Sequence, residues 1–197
     1  MNPREKILAT ALSAFNERGV ENVGMRDLAL LAGMRPGNLT YYFPTKGHLI
    51  GALTQQLREL NNQTIVNHPD LDIPAVVSMF RKSMQNQSEF RFIFKSFVHL
   101  VETYEEVSDP YRQSEKKRFA TLDKIVSTLV HRGHLRQITP EEQQYLVGAL
   151  GMINRFWIAE AAVTFRRLSL KKQQEIYSRR IEMLLISFQS APVHASD

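Results

Sequence analysis

The sequence predicts an all-α fold, and three observations carry that reading. Nearly every long segment repeats its apolar residues at helical spacing, and the strict alternation of a half-buried strand is missing. Prolines, glycines and capping residues fall where helices would start and stop. Two short apolar-faced segments, 25–32 and 36–42, flank a single glycine, the arrangement of a helix-turn-helix. About nine helices are expected in all, in a compact N-terminal domain over 1–62 and a larger helical domain over 70–190.

The first helix is expected at about 4–18, with Ile7, Leu8, Ala11 and Phe15 on one face and Gly19 placed to end it. The two short helices follow, then a longer one from 46 to about 66, stopping before His68-Pro69. Asp72-Ile73-Pro74 opens a helix to about 86, and another covers about 88–105. Ser108-Asp109-Pro110 starts the next, which runs to Arg132 and stops at Gly133. Thr139-Pro140-Glu141-Glu142 joins an N-cap, a proline at the first helical position and early acids, and predicts a helix to about 165. A last helix covers about 169–189, and a loose tail is expected over Ser190–Asp197.

The composition narrows the function classes. The chain has 197 residues with 43% hydrophobic, ordinary for a packed globular protein. Its net charge of +5 is compatible with an anionic partner, yet residues 1–50 hold six basic and four acidic side chains, so no basic tail exists. Affinity for an anion must come from placed residues. With no cysteine, disulfides, thiolate metal sites and cysteine nucleophiles are excluded. The apolar run around Leu146–Ile153 is broken by two glycines and falls short of the ~20 residues of a membrane span, so no membrane partner is expected. Met1–Arg4 leads straight into a helical pattern, so no signal peptide and a cytoplasmic location are expected.

The most informative stretch is 25–46, MRDLALLAGMRPGNLTYYFPTK. Leu28, Ala29 and Ala32 give the first short helix its apolar face, Gly33 supplies the turn, and Met34 packs inside it. Pro36 fits the first turn of the second helix, where its missing N–H costs nothing. At about 100° per residue, Leu39 and Phe43 lie within about 40° of each other and face the core. Gly37, Asn38 and Tyr41 lie opposite, with Thr40 and Tyr42 on the shoulders. Such a helix suits a DNA groove: Asn can pair bidentately with adenine, and Gly37 lets the backbone approach the bases. Thr45 caps the following helix and Lys46 lies in its first turn, a combination suited to a phosphate. A helix-turn-helix is also a packing solution in proteins that bind no DNA, so the pattern alone leaves that alternative open.

From Ile7 to Leu49 the sequence resembles the N-terminal domain of the TetR family of transcriptional regulators. The resemblance rests on Ile7-Leu8, Ala11, Phe15 and Gly19-Val20, on Leu28-Ala29 and Ala32-Gly33-Met34, and on Gly37-Asn38-Leu39, Tyr42-Phe43-Pro44, Lys46 and Leu49. Three positions depart from the family's usual pattern. Gly24 stands where a Ser or Thr cap is common, Arg35 where a Ser precedes the recognition helix, and Thr40 where an aromatic usually follows the leucine. The resemblance implies an all-helical ligand-binding and dimerisation domain after Pro69, and the leading reading is a repressor on double-stranded DNA with a palindromic operator, released by a small effector. The alternatives are a regulator without a small-molecule effector, or a helical enzyme or carrier with an appended N-terminal domain, against which the absence of a catalytic constellation argues. Arg35, Pro36, Gly37, Asn38 and Tyr41 are assigned to base edges; Thr40, Tyr42, Thr45 and Lys46 to phosphates; and Arg26 to a phosphate or a guanine.

The body offers softer candidates. Phe90, Phe92, Phe94 and Phe97 at helical spacing read first as core, and Trp157 as a core or dimer-interface residue. Met and Phe nevertheless recur on faces wider than one packing seam, so a cavity for a small apolar effector is expected among Phe80, Met84, Phe94, Phe97, Tyr104 and Phe119. Leu146, Gly148, Ala149, Leu150, Gly151, Ile153 and Trp157 make more apolar surface than one neighbouring helix covers and predict a homodimer through the last two helices. No catalytic or nucleotide-binding motif occurs, and His131 and His134 are too few for a metal site, so neither cofactor nor metal is expected.

Overall fold

The computed structural model describes residues 2–64 and 71–189. Ten α-helices make up the described regular structure: α1 (Pro3–Arg18), α2 (Met25–Leu31), α3 (Pro36–Tyr42), α4 (Lys46–Asn62), α5 (Ile73–Glu89), α6 (Arg91–Lys95), α7 (Phe97–Thr103), α8 (Glu105–His131), α9 (Pro140–Thr164) and α10 (Leu170–Ile186). The all-α expectation holds. The end of the helix expected to reach 66, the His68-Pro69 stop and the tail 190–197 lie outside the described residues.

Local chemistry explains most ends. Asn2 accepts from the Glu5 N–H at 2.8 Å while the Glu5 carboxylate accepts from the Asn2 N–H at 3.1 Å, a reciprocal cap with Pro3 behind it. Gly19 ends α1 at φ +84°, a conformation that side-chain-bearing residues rarely adopt. At α9, Thr139 Oγ1 accepts from the Glu142 N–H at 3.2 Å and Glu142 accepts from the Thr139 N–H at 2.9 Å.

Three boundaries differ from the sequence reading. The helix expected over 88–105 is α6 and α7, broken at Ser96 (φ −109°, ψ 24°), and α5 runs on to Glu89. The Asn16 side chain serves the other junction, between α5 and α6: it donates to the Glu89 carbonyl at 2.7 Å and accepts from the Phe92 N–H at 3.0 Å. Helix α8 starts at Glu105, before the Ser108-Asp109-Pro110 signal, and carries Pro110 inside it. That proline has no N–H for the Glu106 carbonyl four residues back, a loss confined to the first turns.

The chain divides into two compact units, Met1–Gln63 with Asn86–Ser114, and Thr64–Gln85 with Glu115–Asp197. The first therefore takes in residues that a boundary at 62/70 assigns to the body. Its core joins Ile7, Leu8, Ala11 and Phe15 of α1 to Leu28, Ala29, Leu39, Leu49, Ile50 and Leu53, and to Phe90, Phe92, Ile93 and Leu100. Phe15 and Phe92 meet at 5.2 Å between ring centroids.

In the second unit, Leu146, Leu150, Trp157, Ile158 and Ala161 of α9 and Tyr177, Ile181 and Leu185 of α10 are buried, with Trp157 and Tyr177 at 5.9 Å. Phe119 and Leu122 of α8 pack where Gly151 leaves room: a Cβ there would lie 3.4 Å from the Phe119 ring. This corrects part of the expected dimer face. Leu146, Leu150, Gly151 and Trp157 are consumed inside the subunit, because α9 is apolar on more than one side and these residues take the inner one. Gly148, Ala149 and Ile153 are half-buried.

Helix α9 also corrects the membrane argument. An 18-residue window of it has a mean hydropathy of 1.3, so by length and composition it is apolar enough to cross a membrane. Glycines do not lower the average enough to exclude it. Its inner residues fill the core of the unit, and core helices pass the same composition test.

Candidate nucleic-acid interface

Helices α2 and α3 meet through a turn built on Gly33, which sits at φ +64°. The Gly33 N–H donates to the Leu30 carbonyl and the Met34 N–H to the Ala29 carbonyl, each at 3.0 Å, closing the end of α2. Met34 is half-buried against the core. Gly24 has no side chain to cap α2, but its own N–H is taken by the Asp27 carboxylate at 2.9 Å, which makes good half of a capping box.

Helix α3 is divided by face. Leu39 and Phe43 are buried at 0% and 3% exposure, while Arg35, Pro36, Gly37, Asn38, Thr40, Tyr41 and Tyr42 are exposed, Tyr41 at 81%. A Cβ on Gly37 would meet nothing within 4 Å, so the backbone there is open to a close approach. Tyr41 and Tyr42 stack edge-on at 5.2 Å. Thr40 Oγ1 donates back to the Pro36 and Gly37 carbonyls at 3.2 Å, so its hydroxyl is occupied within the helix. Arg26 is exposed in the first turn of α2.

At the start of α4, Thr45 caps as expected, accepting from the His48 N–H at 3.2 Å. Lys46 is turned differently. Its ammonium donates to the Val20 carbonyl and lies 5.7 Å from the centre of the Phe15 ring, instead of projecting from the helix end. Burial holds its pKa below the ordinary lysine value, with the Glu21 carboxylate working against the shift. Glu106, from the first turn of α8, stands beside the same helix end, 3.1 Å from His48 Nδ1 and 3.3 Å from Thr45 Oγ1.

Two cations passed over in the sequence lie near α3. The Arg4 guanidinium sits 5.2 Å from the centre of the Phe43 ring, and Lys6 Nζ is 3.8 Å from where a Gly33 Cβ would stand. Both residues are exposed. Their signal was basic residues in the opening turn of α1, which spacing alone could not tie to a turn nearly thirty residues on.

In the second unit an open groove of about 950 Å³ is lined by Phe119, Ala120, Asp123, Ile138, Pro140, Gln143, Gln144, Val147 and Gly148. Of the six residues expected around an effector, Phe119 alone lines it. Phe80 and Met84 are buried, Phe94 and Tyr104 pack against the core of the first unit, and Phe97 stacks on Tyr111 at 4.9 Å.

A buried-faced, polar-fronted second helix behind a tight turn is the geometry of a helix-turn-helix. Residues 7–53 match the model of the bacterial regulatory proteins of the tetR family, and residues 52–188 match a second TetR model described as a bacterial transcriptional repressor. The chain belongs to the TetR family: it is a DNA-binding transcriptional regulator, in a family of regulators and not of enzymes. Among solved structures it is similar to a TetR-family regulator of Marinobacter aquaeolei VT8, with a TM-score of 0.86 at 18% identity over 96% of this chain and 92% of that one. It is also similar to a transcriptional regulator of Saccharomonospora viridis solved with choline, with a TM-score of 0.72 at 18% identity, covering 91% and 95%. A ketosteroid transcriptional regulator of Mycobacterium tuberculosis gives 0.71 at 14% identity, covering 96% of each chain. These likenesses establish the fold. No curated protein matches the sequence.

Proposed function

We propose that the protein is a cytoplasmic repressor that holds a palindromic operator as a homodimer and leaves it when a small apolar effector binds. The observation that carries the DNA half is the face of α3. Arg35, Gly37, Asn38 and Tyr41 are presented outward on a helix anchored by Leu39 and Phe43. Arg35, Pro36, Gly37, Asn38 and Tyr41 read bases, while Arg26, Tyr42, Thr45 and Lys46 serve the phosphates, Lys46 after swinging out from Val20. Thr40 keeps its assignment to a phosphate wall, a contact that requires its one hydroxyl proton to turn away from the Pro36 and Gly37 carbonyls. Arg4 and Lys6 add charge at the edge of the motif.

The dimer reading rests on an exposed apolar stripe. Tyr145, Met152, Phe156 and Val163 recur along one side of α9 at spacings close to one or two helical turns, and Met183 and Ile186 of α10 are exposed as well. Gly148 and Ala149 lie along the same side and allow close approach; Ile153 borders it. Two helices from each subunit would form a four-helix interface and set the recognition helices ~34–36 Å apart, one turn of DNA.

For the effector, the groove beside Phe119 supplies an apolar wall with Asp123, Gln143 and Gln144 as polar groups. Release requires that the effector favour the conformation that does not bind DNA. The similar regulator of Saccharomonospora viridis was solved in complex with choline, a small molecule held by that protein. Gel-shift with DNA from beside the protein's own gene tests the DNA reading: a retarded band that random DNA does not compete away supports it, and equal competition refutes it. Equilibrium sedimentation at micromolar concentration tests the dimer, and a monomer refutes that part.

A further inference from the structure

The first turn of α4 is the place where the proposed DNA contact needs positive potential. Helix N-termini leave their leading N–H groups without intrahelical partners and carry the positive end of the helix dipole. Yet in this structure the cation of that turn, Lys46, is committed to the Val20 carbonyl, and a carboxylate from elsewhere in the same unit has moved in. Glu106 Oε1 lies 3.1 Å from His48 Nδ1 and accepts from Thr45 Oγ1 at 3.3 Å.

The carboxylate is held there by the shape of α4. A Cβ on Gly47 would lie 2.4 Å from Glu106 Oε2, and one on Gly51 would lie 3.0 Å from the Glu106 Cβ and 3.1 Å from its carbonyl oxygen. Two glycines one turn apart thus form a slot that receives both the side chain and the backbone of residue 106. The next residue, Val107, is buried, and its N–H donates to the Tyr104 carbonyl at 3.0 Å, which pins the chain on that side. Glu106 is therefore a placed charge and not a solvated surface acid swinging freely.

We infer that Glu106 is an electrostatic brake on DNA binding: an acid of this chain seated beside Thr45 and Gly47, where it competes with and repels the phosphate that the end of α4 would grip. It tunes affinity for all sequences alike and takes no part in reading bases. The inference rests on the reading that α4 meets a phosphate.

The test compares Glu106→Gln with Glu105→Gln, using operator-containing DNA and random DNA across a salt series. Gln keeps the volume of Glu106 and an oxygen to accept from Thr45, and residue 106 is partly exposed, so folding is undisturbed. Glu105→Gln removes the same charge from an exposed neighbouring position and controls for bulk charge. Glu106→Gln should tighten both DNAs about threefold to tenfold and steepen the salt dependence by about 0.9 per subunit, and Glu105→Gln should do much less. Unchanged or weaker binding by Glu106→Gln, or an equal gain from Glu105→Gln, overturns the brake. Asn38→Ala run in parallel separates the two failures. If it still costs operator preference, the brake alone is wrong; if it does not, the reading beneath it is wrong too.

Discussion

The Asn16 side chain accepts a hydrogen bond from the Phe92 backbone N–H at 3.0 Å, across 76 residues of sequence. Its amide also donates to the Glu89 carbonyl at 2.7 Å, so one residue of α1 satisfies the last turn of α5 and the first of α6. Phe92 is buried, and water cannot replace that partner cheaply. Asn16→Ala should therefore cost about 1–3 kcal/mol in urea or thermal unfolding. Asn16→Asp should not recover that loss, because it keeps the acceptor for the Phe92 N–H but sets a carboxylate oxygen against the Glu89 carbonyl.

That bond also shows which parts of the fold were legible in the sequence. Ends made by adjacent residues, such as Thr139-Pro140-Glu141-Glu142, could be read directly. The junction of α5 and α6 at Phe90 could not be fixed, because the group that satisfies both of its ends, Asn16, is on α1. The front of α3 followed from angle alone, since its two apolar residues leave one possible inner face. Helix α9 has apolar residues on several sides, so periodicity could not tell the inner Leu146, Leu150 and Trp157 from the outer Tyr145, Met152 and Val163. Lys46 looked free because Val20 lies 26 residues away.

Gly51 makes a second stability prediction. A methyl group there would press on the Cβ and the carbonyl oxygen of Glu106, and backbone yields less readily than a side-chain tip. Overpacking of this kind costs about 1–3 kcal/mol, offset by roughly 1 kcal/mol of improved helix propensity. Gly51→Ala should be net destabilising by about 1 kcal/mol in denaturant titration, where an open helical glycine would gain from the same change.

Arg136 and Glu142 give the acid limb of the stability profile. Arg136 reaches the two Glu142 oxygens at 3.0 and 2.6 Å, and the Glu142 carboxylate also accepts from the Thr139 N–H at 2.9 Å. The Arg136 hydrogen bond, helped by the Thr139 N–H, pulls the Glu142 pKa from 4.5 down to about 2. A carboxylate lowered on folding stabilises above its unfolded pKa, and that contribution fades as pH falls through the folded one. Thermal melts should show a loss between about pH 4.5 and pH 2 that is smaller in Glu142→Gln.

Asn38→Ala is the most direct test of the proposal that the outward face of α3 reads DNA sequence. Asn38 is exposed on that face, so the fold should survive the change. Fluorescence anisotropy with operator and random duplexes at one salt concentration gives the preference. The expected result is a loss of about 1–3 kcal/mol per half-site on the operator and almost none on random DNA. An Asn38→Ala protein that keeps its full preference for the operator would contradict it.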